Sequence, residues 1–163
     1  MVNLTDDSGF IALIEPEKYT SFVDEYWDTQ QLFQHFQNQM EKGCILIWGT
    51  GGESIWNIEI NFGFTNISGY RETIGSIKVE SNSLCLINYE SLTMAAQFAD
   101  VKLPEEHMKD LLIELANGIY NIRIIQFYNP EEEIYIGRDD MDFLIEIEKT
   151  NKMQHQWSDI HWK

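Results

Sequence analysis

The chain has 163 residues, 44% hydrophobic and 13% aromatic, and its 27 acidic against 11 basic residues give a formal charge of -16. That length fits a single domain able to bury about two-thirds of its unfolded surface, so neither a disulfide nor a metal is needed to hold it. The charge excludes nucleic acid and anionic membrane as partners and favours a basic protein, whose approach the field would speed.

The first ten residues contain neither a basic segment nor an apolar stretch of the secretory kind. No apolar run nears the roughly 18 residues of a membrane span, so the cytoplasm is the expected compartment. Residues 16–42 read as a helical segment. Tyr19, Phe22, Val23, Tyr26 and Trp27 form one stripe at the helical period, with Pro16 in the first turn. Leu32, Phe33, Phe36 and Met40 form a second, running from a cap at Asp28 or Thr29 to a stop at Gly43. One helix or two would satisfy this pattern, and neither alternation nor β-branched enrichment points to strands among the first forty residues.

Residues 43–150 read as a β-sandwich. The run Cys44–Trp48 is followed by Gly49-Thr50-Gly51-Gly52 and then by alternation of Trp56, Ile58, Ile60 and Phe62 with polar residues, the pattern of a hairpin. Strands are expected at Ile74–Glu80 and Ser83–Tyr89 around a Ser81-Asn82 turn. Residues 91–110 are ambiguous, and Pro104 disfavours helix at Leu103. A further hairpin is expected to join Leu111–Leu115 to Ile119–Phe127 through Asn117-Gly118. Residues 130–140 form an acidic loop interrupted by the short run Ile134-Tyr135-Ile136, after which Phe143, Ile145 and Ile147 close the sheet with acids on its opposite face. The expected fold is mainly β within the α+β class: an antiparallel β-sandwich with one or two N-terminal helices packed on a face or edge, and a C-terminal tail over 151–163.

The motifs of chemical type are weak. Gly49–Gly52 precedes a strand and lacks a Walker lysine, so it reads as a turn rather than a phosphate cradle. Cys44 and Cys85 lie in apolar runs and read as buried free thiols in a reducing compartment. His155, Asp159 and His161 are of ligand type but do not share a helical face, and no metal or other cofactor is expected. Asp139-Asp140-Met141-Asp142 lacks the spacing of a calcium loop. No serine sits in a nucleophile elbow. Trp157 and Trp162 fit either a recognition surface or, as favoured here, a tail packed back on the sandwich.

Three stretches of the second half carry a resemblance: Gly75-Ser76-Ile77-Lys78-Val79, then Ser83-Leu84-Cys85-Leu86, then Leu115-Ala116-Asn117-Gly118-Ile119-Tyr120-Asn121-Ile122. Over roughly residues 72–149 the order resembles that of the bacterial competence-associated nuclease inhibitor and related small β-sandwich immunity-type proteins. The resemblance implies that architecture and an inhibitory role; it supplies no contact residues.

Eight carboxylates lie between Glu131 and Glu148 against one cation, Arg138. The first reading is therefore a non-enzymatic, immunity-type inhibitor of a basic bacterial enzyme such as a nuclease, with Glu131, Glu132, Glu133, Asp139, Asp140 and Asp142 as the partner-binding surface. The second is an enzyme or small-ligand binder with Trp48, Trp56, Tyr70 and Tyr120 lining an aromatic cleft between helices and sheet. The third is a structural subunit of a larger assembly, held through the aromatic tail.

Overall fold

A computed structural model describes residues 1–163. Its β-strands are β1 (Val2–Asp6), β2 (Phe10–Ile14), β3 (Ile45–Gly49), β4 (Ser54–Phe62), β5 (Arg71–Val79), β6 (Ser83–Asn88), β7 (Leu112–Glu114), β8 (Gly118–Gln126), β9 (Tyr128–Asn129), β10 (Ile134–Tyr135) and β11 (Phe143–Thr150). Helix α1 spans Thr29–Glu41, α2 spans Tyr89–Gln97, and a 3-10 turn covers Glu106–Leu111. Five strands form one sheet in the order β1-β4-β11-β8-β5 and four form another in the order β3-β2-β6-β7, around a shared apolar core. The expected mainly β, α+β class holds. One neighbour pair departs from the antiparallel pattern, since β11 runs parallel to β4.

The first strands were not expected. Val2–Asp6 and Phe10–Ile14 are β1 and β2, not a lead-in to helix. Phe10–Ile14 shows no alternation because both its faces are covered, by the opposite sheet on one side and by α2 on the other, with α1 packed on neighbouring β3. The stripe Tyr19–Trp27 is not helical either. Lys18 and Tyr19 donate to the Glu15 carbonyl, and Val23 and Asp24 both donate to the Ala96 carbonyl, which ties the segment down as turns. Only the second stripe forms a helix. Asp28 caps it in a reciprocal capping box with Gln31, and Gly43, at φ +72°, ends it; Leu32, Phe36 and Met40 face the core.

The three expected hairpins are instead crossings between sheets. β3 and β4, β5 and β6, and β7 and β8 each join strands of opposite sheets. Two buried carboxylates tie the β3–β4 and β5–β6 crossings to β1 and β2. At one end, Asp6 Oδ1 accepts from the amides of Ser8, Gly9 and Phe10, while Oδ2 accepts from Thr50 Oγ1 at 2.7 Å and Trp56 Nε1 at 2.9 Å. At the other, Glu15 accepts from the amides of Glu17, Glu80 and Ser81 and from Ser81 Oγ. Burial alone would raise the Glu15 pKa, but the Ser81 hydroxyl and three amides outweigh it and hold the carboxyl below its ordinary value.

The tail closes one side of the sandwich. His161 bridges Trp48 of β3, while the backbone of His155 exchanges hydrogen bonds with Ser76 of β5. Trp157 is 3% exposed, stacks on His161 at 3.7 Å and donates to the Ile74 carbonyl. Trp162 lies under the Arg71 guanidinium at 4.2 Å. This accounts for part of the glycine cluster: a Cβ on Gly49 would sit 2.1 Å from the Trp162 carbonyl oxygen.

Candidate protein-interaction site

The acidic segment forms a small hairpin, β9–β10, lying over the outer face of the five-stranded sheet. Beneath it is a second cluster of buried apolar side chains, Ile125, Phe127, Met141 and Leu144, with Ile67 packed alongside. Ile136 donates its amide to the Phe127 carbonyl, and Asn129 Oδ1 receives the Glu131 amide. The Tyr135 ring lies tilted beside Tyr128 at 5.0 Å, Tyr128 beside the buried Trp56 at 6.3 Å, and Trp56 meets Phe143 edge to face at 5.4 Å. Gly137 passes so near the neighbouring loop, at φ +93°, that a Cβ there would lie 2.1 Å from the Ser68 carbonyl oxygen. The hairpin is thus held from below, which lowers the ordering cost of any contact made by its top.

Its acids divide into two kinds. Glu131, Glu132, Glu133 and Asp139 are exposed, and none of their side chains is paired within the chain. Asp140 is also exposed, but Arg138 grips it with two bonds at 2.9 and 2.6 Å; that pairing holds its carboxyl below the ordinary value. Asp142 does not belong to the surface. It is 5% exposed and accepts from the Asn57 amide and from the Tyr135 hydroxyl, both at 2.8 Å. Burial, then that bond and the Asp142 charge, push the Tyr135 phenol up to about 12.

The acids expected opposite the core on β11 also divide. Glu148 is exposed, whereas Glu146 is wholly buried and pairs with Arg123 at 2.7 Å. Arg123 also binds Glu72 and donates to the carbonyls of Thr65 and Ile67, pinning the loop that flanks the hairpin. The formal charge of the run therefore overstates what faces solvent.

Among the free carboxylates stand three apolar side chains that the charge pattern does not mark: Ile134, Tyr135 and Ile136, exposed by 44%, 42% and 39%. The clue was their position as a short apolar run inside an acidic loop. Exposed apolar residues ringed by charge are the ordinary make-up of a protein contact, apolar at the centre and polar at the rim.

The aromatic cleft is not formed. Trp48 and Trp56 are 0% and 1% exposed and belong to the core, and Tyr120, 6% exposed, donates its hydroxyl to the Ala116 carbonyl. Tyr70 is half-buried, with the Arg71 guanidinium over its ring at 5.4 Å. Cys44 and Cys85 are free and buried, and burial pushes the Cys85 thiol up to about 12. No group of three or more His, Cys, Asp or Glu side chains is arranged to hold a metal, and no helix is long and apolar enough to cross a membrane.

No family model matches the sequence, and no curated protein does. Two solved structures are similar in fold. A protein described as crocagin biosynthetic gene J aligns with a TM-score of 0.63 at 12% identity, over 92% of this chain and 96% of that one. ComJ from Bacillus subtilis, described as an inhibitor of the DNA-degrading activity of NucA, aligns with a TM-score of 0.52 at 12% identity, over 91% of this chain and 94% of its own. The likeness is one of fold. It bears out the resemblance to a nuclease-inhibitor protein read from residues 72–149, and at 91% of the chain it takes in the N-terminal region that the sequence resemblance left out.

Proposed function

We propose that this chain is a non-enzymatic cytoplasmic binding protein that inhibits a basic bacterial enzyme, a nuclease in the first instance, through the β9–β10 hairpin. One observation carries the reading: a preorganised hairpin presents Ile134, Tyr135 and Ile136 within a ring of unpaired carboxylates, on a fold similar to that of a nuclease inhibitor. The apolar side chains would give the contact its persistence. The carboxylates of Glu131, Glu132, Glu133 and Asp139 would speed encounter with a basic surface and stand where nucleic-acid phosphates otherwise bind.

The test is inhibition of DNA hydrolysis. NucA is a defined first nuclease, and basic nuclease fractions retained by the immobilised protein at low salt supply the native candidates. Inhibition by the wild type that is lost in Ile134→Asp/Ile136→Asp supports the proposal. Equal inhibition by both proteins removes the hairpin as the site, and absence of inhibition of every retained nuclease removes the inhibitory role.

A further inference from the structure

The tail seals one side of the sandwich, but the other side is open. Between β1 and β4 of one sheet and β7 of the other runs a groove of about 460 Å³, lined by nine apolar residues, among them Val2, Ile58, Ile60, Leu86 and Ile113. Its two remaining lining residues are both acids, Asp110 and Glu114. Both are exposed, and neither carboxylate is paired: the adjoining cation, Lys109, is held by Glu106 at 2.8 Å. Met1 and Phe62, 68% and 63% exposed, stand at the mouth, and a methionine there adapts to the shape of whatever enters.

We infer that this groove binds a small amphipathic organic cation, an ammonium group carried on an apolar chain or ring. The volume lies in the range of small-molecule sites, and the lining combines an apolar floor with two carboxylates at the edge against the one amino group of Met1, a net negative rim. An added protein strand fits less well. β7 has only three residues, and the neighbouring amides of Leu112 and Leu115 are already given to the carbonyls of Lys109 and Asn82. On β1, the Thr5 carbonyl already accepts from the Asn88 side chain. The site lies apart from the hairpin and does not depend on the inhibitory role.

Three ligands of one chain length separate the contributions: octylammonium, octanol and octanoate, titrated at low salt while the methyl resonances of Ile58, Ile60 and Ile113 are followed by NMR. Octylammonium should shift these methyls at the lowest concentration, octanol at a higher one and octanoate at the highest. In Asp110→Asn/Glu114→Gln, octylammonium should weaken by about fivefold or more, towards octanol, because each exposed ion pair contributes modestly. Added salt should weaken octylammonium alone. Indistinguishable affinities for the three ligands, no methyl shift with any of them, or a double variant that binds octylammonium as the wild type does would each overturn the inference.

Discussion

Replacing Asp6 by Asn keeps the shape of a fully buried side chain and changes only its charge and one acceptor. Asp6 Oδ1 holds the turn from β1 to β2, and Oδ2 holds Thr50 and Trp56, so the residue links both sheets at one end of the sandwich. The cheaper amide orientation places the NH2 group at the Oδ2 position. The Thr50 hydroxyl then retains the Gly52 carbonyl as acceptor at 2.9 Å, but the Trp56 indole N–H faces another donor. An orphaned buried donor costs about 1–3 kcal/mol, and three amide bonds weakened from charged to neutral acceptors add up to roughly the same again. The sum is about 3 kcal/mol, which for a domain of this size lowers Tm by about 9 °C. Urea unfolding followed by far-UV circular dichroism and by tryptophan fluorescence measures it. An Asp6→Asn protein within about 0.5 kcal/mol of wild type would refute the claim that this carboxylate ties the sheets.

Glu15→Gln tests the opposite end by its pH dependence. Because the folded pKa is depressed, the stabilisation is fully present above the ordinary glutamate value and lost as pH falls through the lower folded value. The stability gap between wild type and variant should be wide at pH 7 and close below about pH 4; a gap constant with pH would contradict the hydrogen-bond account. Trp157→Ala should cost about 3 kcal/mol and speed hydrogen exchange at the amides of Gly49 and Ser76, which the tail backbone receives. Unchanged exchange there would mean that the tail holds without its indole. Tyr135→Phe should cost about 1 kcal/mol or less and loosen the hairpin, seen as faster exchange at the Ile136 amide. Unaltered exchange would show that the apolar cluster below suffices.

What the sequence disclosed follows from how each element is exposed. Strands with one wet face, such as β4, announce themselves by alternation. β2 does not, because α2 covers the side that would otherwise be polar, and a five-residue apolar run has no period to read. Asn117-Gly118 marks a turn correctly but cannot say whether the next strand returns in the same sheet or crosses to the other, since that depends on partners distant in sequence. The acidic surface was legible as composition, and its sorting was not. Glu131–Glu133 and Asp139 face solvent, while Asp142 and Glu146 are spent on Asn57, Tyr135 and Arg123, partners that only the fold brings near. For the same reason Trp48 and Trp56, residue types common in ligand clefts, are core here. Trp56 lies on the inward face of alternating β4, and Trp48 on β3, a strand buried throughout.

The most direct test of the proposed role is the rate at which the protein associates with a nuclease it inhibits, measured by biolayer interferometry for wild type and for Glu131→Lys/Glu132→Lys/Glu133→Lys at low and high salt. Wild-type association should slow as salt rises, and the variant should associate about tenfold or more slowly at low salt with little further salt dependence. Equal rates and equal salt slopes for the two proteins would contradict the proposed role and move the contact away from the hairpin.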